Sequence, residues 1–233
     1  MIGTMQALVI AAGVFVLSHS LPATLGVRQR LVTALGEPTY LALYTAVSAL
    51  ALIWLALAYA RAPMAPLWSG GSAGRWVPIL VMPFASILLV AGYTTPNPTM
   101  LGQARSLLTI DANPAPGILS ITRHPIFWAL ALWAFAHIPP TGDLASLVFF
   151  LTIGGYALFG MFRIDRKKAE TLGAAWGPFA MRSSLMPFLA IYDQRTRVDW
   201  RGIGWARVMG GLALYAGLFG AHPWIAGIGV FAP

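Results

Sequence analysis

Between Glu37 and Arg61 the chain carries no charged residue, and the stretch is long enough to cross a bilayer as a helix, which takes about 20 residues. Such a segment excludes most soluble folds. A backbone in hydrocarbon must satisfy its own hydrogen bonds, which helices and closed barrels do. Apolar runs of this kind recur, and only 9% of the 233 residues are charged, against roughly 25% in a soluble domain. The predicted fold is therefore all-α, a single polytopic transmembrane helical bundle over residues 1–233. About six spans can be drawn, near 6–24, 39–60, 77–93, 125–138, 144–162 and 204–231. Pro78 and Pro83 predict a kink or a late start in the third. The first run has no basic leader and no small-residue cleavage site, which predicts a retained helix.

The formal charge of +8 is not patterned for nucleic acid. The basic residues sit between apolar spans, where they set topology and touch anionic membrane lipid. Arg163, Arg166, Lys167, Lys168, Arg182, Arg195, Arg197 and Arg201 all fall between the fifth and sixth spans, which predicts a cytoplasmic loop. Alternation then puts the Arg28/Arg30 loop and the Arg105/Arg123 loop on the same side. In a bacterial inner membrane both termini would face the periplasm. The turn-rich connector 94–125 is expected to lie on the membrane surface. The stretch 163–201, apolar in the middle and broken by Pro178 and Pro187, is expected to dip into the interface or pack under the bundle. There is no cysteine, so thiolate chemistry is absent.

Chemistry in such a chain falls to its histidines, His19, His124, His137 and His222. Imidazole in or beside a span is costly to place and marks a functional candidate, although a ring bonded to a backbone carbonyl is the plainer alternative. His124 and His137 stand at opposite ends of the fourth span, roughly 20 Å apart along a helix axis, too far to share an iron. A two-histidine site must pair residues at similar depth: His19 with His124, or His137 with His222. Two imidazoles without nearby thiols or carboxylates suit haem better than zinc, which takes three or four protein ligands. Arg123 is either a cytoplasmic anchor that snorkels to phosphate or a guanidinium that binds a haem propionate or another anion. Pro125 fits the first turn of a helix and puts Arg123 and His124 at its start.

The carboxylates suggest less. Asp143 after "IPPTG" is a plausible N-cap, and Asp165 with Arg166 is read as a surface pair. No acid–base pair, nucleophile triad, phosphate loop or HExxH motif is visible.

"SHSLPA" (18–23), "TPNPT" (95–99), "GILSITRHPIFWALALWAFAHI" (117–138) and "GMFRIDRKK" (160–168) together resemble the NnrU family of bacterial membrane proteins, in order and at matching spacing. That resemblance implies a role in nitrite and nitric-oxide (denitrification) metabolism, with a small nitrogen-oxide or a hydrophobic ligand. It also implies kinship with 15-cis-ζ-carotene isomerase, a membrane enzyme that binds haem b through histidines, and the matching positions here are His19 and His124. A haem-dependent isomerase or redox protein is the expectation that follows. The segment from Gly117 to Pro125 is also similar to the S-adenosylmethionine site of isoprenylcysteine and phospholipid methyltransferases. Those enzymes follow it with paired glutamates, whereas this chain has only Glu37 and Glu170, far apart. A non-catalytic membrane helper of nitrogen-oxide respiration is the third reading.

Overall fold

The computed structural model describes residues 3–100 and 113–231. In chain order the helices are α1 (Met5–Ser20), α2 (Leu25–Leu35), α3 (Glu37–Arg61), α4 (Gly71–Thr94), α5 (Pro125–Thr141) and α6 (Leu144–Leu172). Short helices α7 (Gly177–Arg182), α8 (Leu189–Tyr192) and α9 (Trp200–Ile203) follow, then α10 (Trp205–Ala226). The expected all-α membrane bundle is what the chain forms. Among the described residues α3, α4, α6 and α10 are each long and apolar enough to cross a membrane, and α1 with α2, bent by 72°, makes a fifth candidate. α5 has 17 residues, at the lower limit of what crosses a bilayer, and lies between α4 and α6.

The bundle packs in the spatial order α3, α1, α6, α5, α4, α10, so α6 stands between α1 and α5. Leu50, Ile53, Leu80, Phe84 and Met209 stay exposed on the outer helices, as a lipid-facing surface requires. Two cores hold the molecule. One, where α1, α3, α5 and α6 converge, contains Leu8, Phe15, Leu55, Ala134, Phe149 and Phe150. The other joins Ala91 of α4 to Ala115, Ile118, Leu119, Trp176 and Phe179, so the stretch after α6 packs under the bundle.

Two boundaries differ from the sequence reading. α4 begins at Gly71, ahead of Val77, and runs through both prolines. Pro83 cannot donate to the carbonyl of Ile79 four residues back, and the Tyr215 hydroxyl on α10 donates to it instead at 3.2 Å. α6 continues past Phe162 to Leu172, which brings the charged segment 163–170 into helical register. Asp143 is the N-cap of α6, as expected: its carboxylate accepts from the Ser146 amide at 2.9 Å. Arg105 lies outside the described residues.

Candidate functional site: a buried Arg-His-Asp cluster at one end of the bundle

The start of α5 is fixed from three directions. Pro125 occupies the first turn and His124 the N-cap position. Gly92 of α4 leaves no room for a Cβ against Ile126 and Pro125, and Gly160 of α6 is similarly closed by the Phe127 ring. Small residues therefore let α4 and α6 close directly on the first turn of α5. The backbone ahead of that turn is clasped as well. Asn97 Nδ2 and the Thr99 hydroxyl, both from the TPNPT stretch, donate to the Arg123 carbonyl at 3.2 Å. The Arg123 amide donates to the Ser184 carbonyl at 2.9 Å.

These constraints bury His124, with 1% of its surface exposed, and aim it at α6. There Asp165 accepts from His124 Nε2 at 2.7 Å with one oxygen and from Arg123 Nη1 at 3.1 Å with the other. Arg123 Nη2 donates to the Ser183 carbonyl at 3.2 Å, and its guanidinium lies 6.0 Å from the Trp176 ring. Among the described residues, two buried nitrogens have no hydrogen-bond partner: Arg123 Nε and His124 Nδ1. Burial pushes the imidazole below its ordinary pKa, and the Asp165 contact opposes that shift.

The cluster corrects one assignment made from the sequence. Asp165 is not a surface partner of Arg166. Neighbouring residues on a helix point about 100° apart, and Arg166 instead pairs with Glu170 one turn on, at 2.9 Å. Asp165 is the member of the cluster that sequence reasoning missed. The usable signal was its position two residues after Arg163 and two before Lys167. Arg163 and Lys167 share one face, whereas Asp165 falls on the opposite one. Glu37 pairs with Arg28, so both glutamates are engaged with arginines.

On that other face of α6 lies His19. Arg163 donates to the Ser20 carbonyl at 2.9 Å, and Lys167 reaches the Ala23 carbonyl at 3.4 Å, so α6 holds the SHSLPA stretch by its backbone. His19 Nδ1 bonds the Phe15 carbonyl at 2.8 Å, and its ring packs 4.3 Å from Phe15 and 5.7 Å from Tyr156. Tyr156 and Asp165 are nine positions apart, about 13 Å along the helix and about half a turn around it. His19 and His124 thus occupy the same end of the bundle but sit at different levels on opposite faces of α6. Arg123 and His124 are brought together; His19 is not brought to them.

Each histidine separately has the features of a ligand. One ring nitrogen is held by a protein acceptor, and the other is uncommitted. As a pair on one iron they do not fit this arrangement, because α6 stands between them. Two surface depressions lie elsewhere: one of about 510 Å³ on α2, lined by Gly26, Gln29, Arg30, Thr33 and Ala34, and one of about 350 Å³ beside Ile191 and Arg197. At the far end of the bundle His137 bonds the Trp133 carbonyl at 2.6 Å and stacks on Phe150, and His222 bonds the Ile228 carbonyl at 2.8 Å.

Comparison with known proteins agrees with the motif pattern. Residues 7–230 match the family model described as NnrU protein. The chloroplastic 15-cis-zeta-carotene isomerase of Zea mays is 33% identical over 82 residues, 35% of this chain and 22% of that protein. The enzyme of the same name from Arabidopsis thaliana is 33% identical over 79 residues, 34% of this chain and 22% of that protein. The chain therefore spans about a fifth of the length of these curated relatives. No solved structure matches it. With nearly its whole length covered by the family model and the family's motif stretches meeting around α6, the chain belongs to the NnrU family.

Proposed function

We propose that this chain is an isomerase-like protein of the inner membrane that acts on a long apolar polyene drawn from the bilayer, with the Arg123–His124–Asp165 cluster as its polar site. The observation that carries this reading is a fully enclosed imidazole with one nitrogen on a carboxylate and the other unpartnered, at the first turn of an interior apolar helix. Such groups are expensive to bury and are kept where they are used. The two relatives, both named as 15-cis-zeta-carotene isomerases, support the substrate class. The excess of Lys and Arg supports a cytoplasmic position for the end bearing Arg123, Arg163, Lys167 and Arg195, and with it periplasmic termini.

Haem b belongs to this proposal as cofactor, with a redox-active iron as the chemistry it supplies. His19, through Nε2, or His124, through Nδ1, would be the residue to hold it. Arg123, whose Nε has no hydrogen-bond partner, is the group suited to a propionate. The protein's own contribution is to hold the imidazoles, exclude water and admit an apolar chain between helices.

The test is a pigment assay with protein purified in detergent and supplied with haem. ζ-Carotene carrying a 15-cis bond should lose that geometry on chromatography, and His124→Ala should abolish the change. A haem-replete protein that leaves the pigment untouched ends the isomerase reading. A Soret band that shifts when nitric oxide is added would instead favour the nitrogen-oxide role.

A further inference from the structure

The bond between Asp165 and His124 runs in one direction. Arg123 holds the second carboxylate oxygen at 3.1 Å, and a carboxylate gripped by two side-chain donors accepts from both. Nε2 of His124 must therefore carry the proton. In the neutral ring the lone pair then sits on Nδ1, which is buried and has no hydrogen-bond partner. A buried polar atom of this kind is uncommon and calls for a reason.

We propose that Asp165 is a positioning residue that fixes the tautomer and orientation of His124, so that Nδ1 is the nitrogen the site offers, and that its ligand is a small proton donor such as a hydroxyl group or water. This rests on reading the cluster as the functional site. Asp165 is not needed merely to join α5 to α6, because Gly160 and Phe127 already bring those helices together. Nor does it need His124 to be satisfied, since Arg123 alone gives it a charged partner. The second arm of the carboxylate acts on the ring. It also selects the occupant: Nδ1 lies next to Cβ, so its approach is crowded and admits a small group more readily than a flat macrocycle. His19 presents Nε2 at the open tip of its ring and is half-buried beside Tyr156, which makes it the residue for haem iron. The wider surroundings agree. Among the described residues, the charged groups around His124 are Arg123 on its own segment and Asp165 on α6, with Arg195 next along, held on the Met181 and Ser183 carbonyls.

The experiment is nitrogen-15 NMR of histidine-labelled full-length protein in lipid nanodiscs, with the His124 signals assigned by comparison with His124→Asn. The expected spectrum has a protonated Nε2 whose proton is shifted far downfield by the carboxylate, and an unprotonated Nδ1. The downfield proton should be lost in Asp165→Ala and displaced in the isosteric Asp165→Asn. A wild-type spectrum with Nδ1 protonated, or without the downfield proton, overturns the positioning role whether or not the protein isomerises anything. Absorption spectra of haem-loaded variants form the second arm. The Soret band should survive His124→Ala and be lost in His19→Ala; the reverse pattern overturns the small-donor assignment. A protein with the expected NMR spectrum but no pigment activity upholds the positioning role and removes the isomerase reading alone.

Discussion

Both ends of the α5–α6 hairpin carry a carboxylate, and the two are used differently. At the turn, Asp143 accepts from the Ser146 amide with one oxygen and from the Ser146 hydroxyl at 2.5 Å with the other, and that hydroxyl also contacts the Tyr59 hydroxyl at 2.9 Å. Its two partners are neutral, and both belong to Ser146, three residues on. At the other end Asp165 meets two ionisable side chains from a segment about 40 positions earlier and leaves one nitrogen on each without a partner. A carboxylate that closes a turn ends with its polar neighbours satisfied. One that belongs to a site leaves unmet capacity, and that difference separates the ends more sharply than burial does.

Removing each carboxylate should break or uphold this contrast. Asp165→Ala leaves a mostly buried guanidinium without its counter-charge, which should cost about 3 kcal/mol in a denaturant titration in mixed micelles. It should also lower pigment conversion by about 10- to 100-fold, the usual effect of losing the partner that orients a functional histidine. Asp143→Ala should cost about 1–2 kcal/mol through the lost cap, with conversion unchanged per folded molecule. Equal loss of activity in both variants would erase the distinction between the ends.

Gly142 supplies the next test. It adopts φ 65°, and a Cβ there would strike the Trp68 carbonyl oxygen. Gly142→Ala should therefore destabilise the turn by about 1–3 kcal/mol, again with no effect on the Asp165 end. A change in the His124 NMR signals of this variant would mean that the two ends are coupled through α5 and α6.

The sequence displays the turn end more openly than the site end. Asp143 follows a Pro-Pro-Thr-Gly break and precedes an apolar run, so its capping role can be read locally. Pro125 likewise announces a helix start and places Arg123 and His124 there. Asp165 carries no local sign of its role, since its partners are distant in sequence and its neighbour Arg166 offers a false one. The side of α6 facing each motif could be read only once the helix was known to continue past Phe162. Depth counting pairs His19 with His124, but counting along spans says nothing about a third helix lying between them. The prolines of α4 show the same limit: a vacant carbonyl at Ile79 can be foreseen, but its donor on α10 cannot.

That donor gives the smallest predicted effect and the control for the others. Tyr215→Phe removes a single hydroxyl from the α4–α10 contact and leaves the Ile79 carbonyl without its donor. Hydrogen bonds between helices in a membrane contribute about 0.6 kcal/mol on average, because the unfolded chain in lipid also finds partners. Ile79 is unusual in that Pro83 has removed its ordinary helical donor, so the cost should lie at or above that average and still below the loss at Asp143. Neither the Soret band nor pigment conversion should move, since α10 is separated from α6 by α4 and α5 in the packing order. If Tyr215→Phe instead cost as much as Asp165→Ala, the stability of the bundle would depend on proline relief in α4 more than on its buried charges, and the contrast between the two ends would lose its energetic meaning.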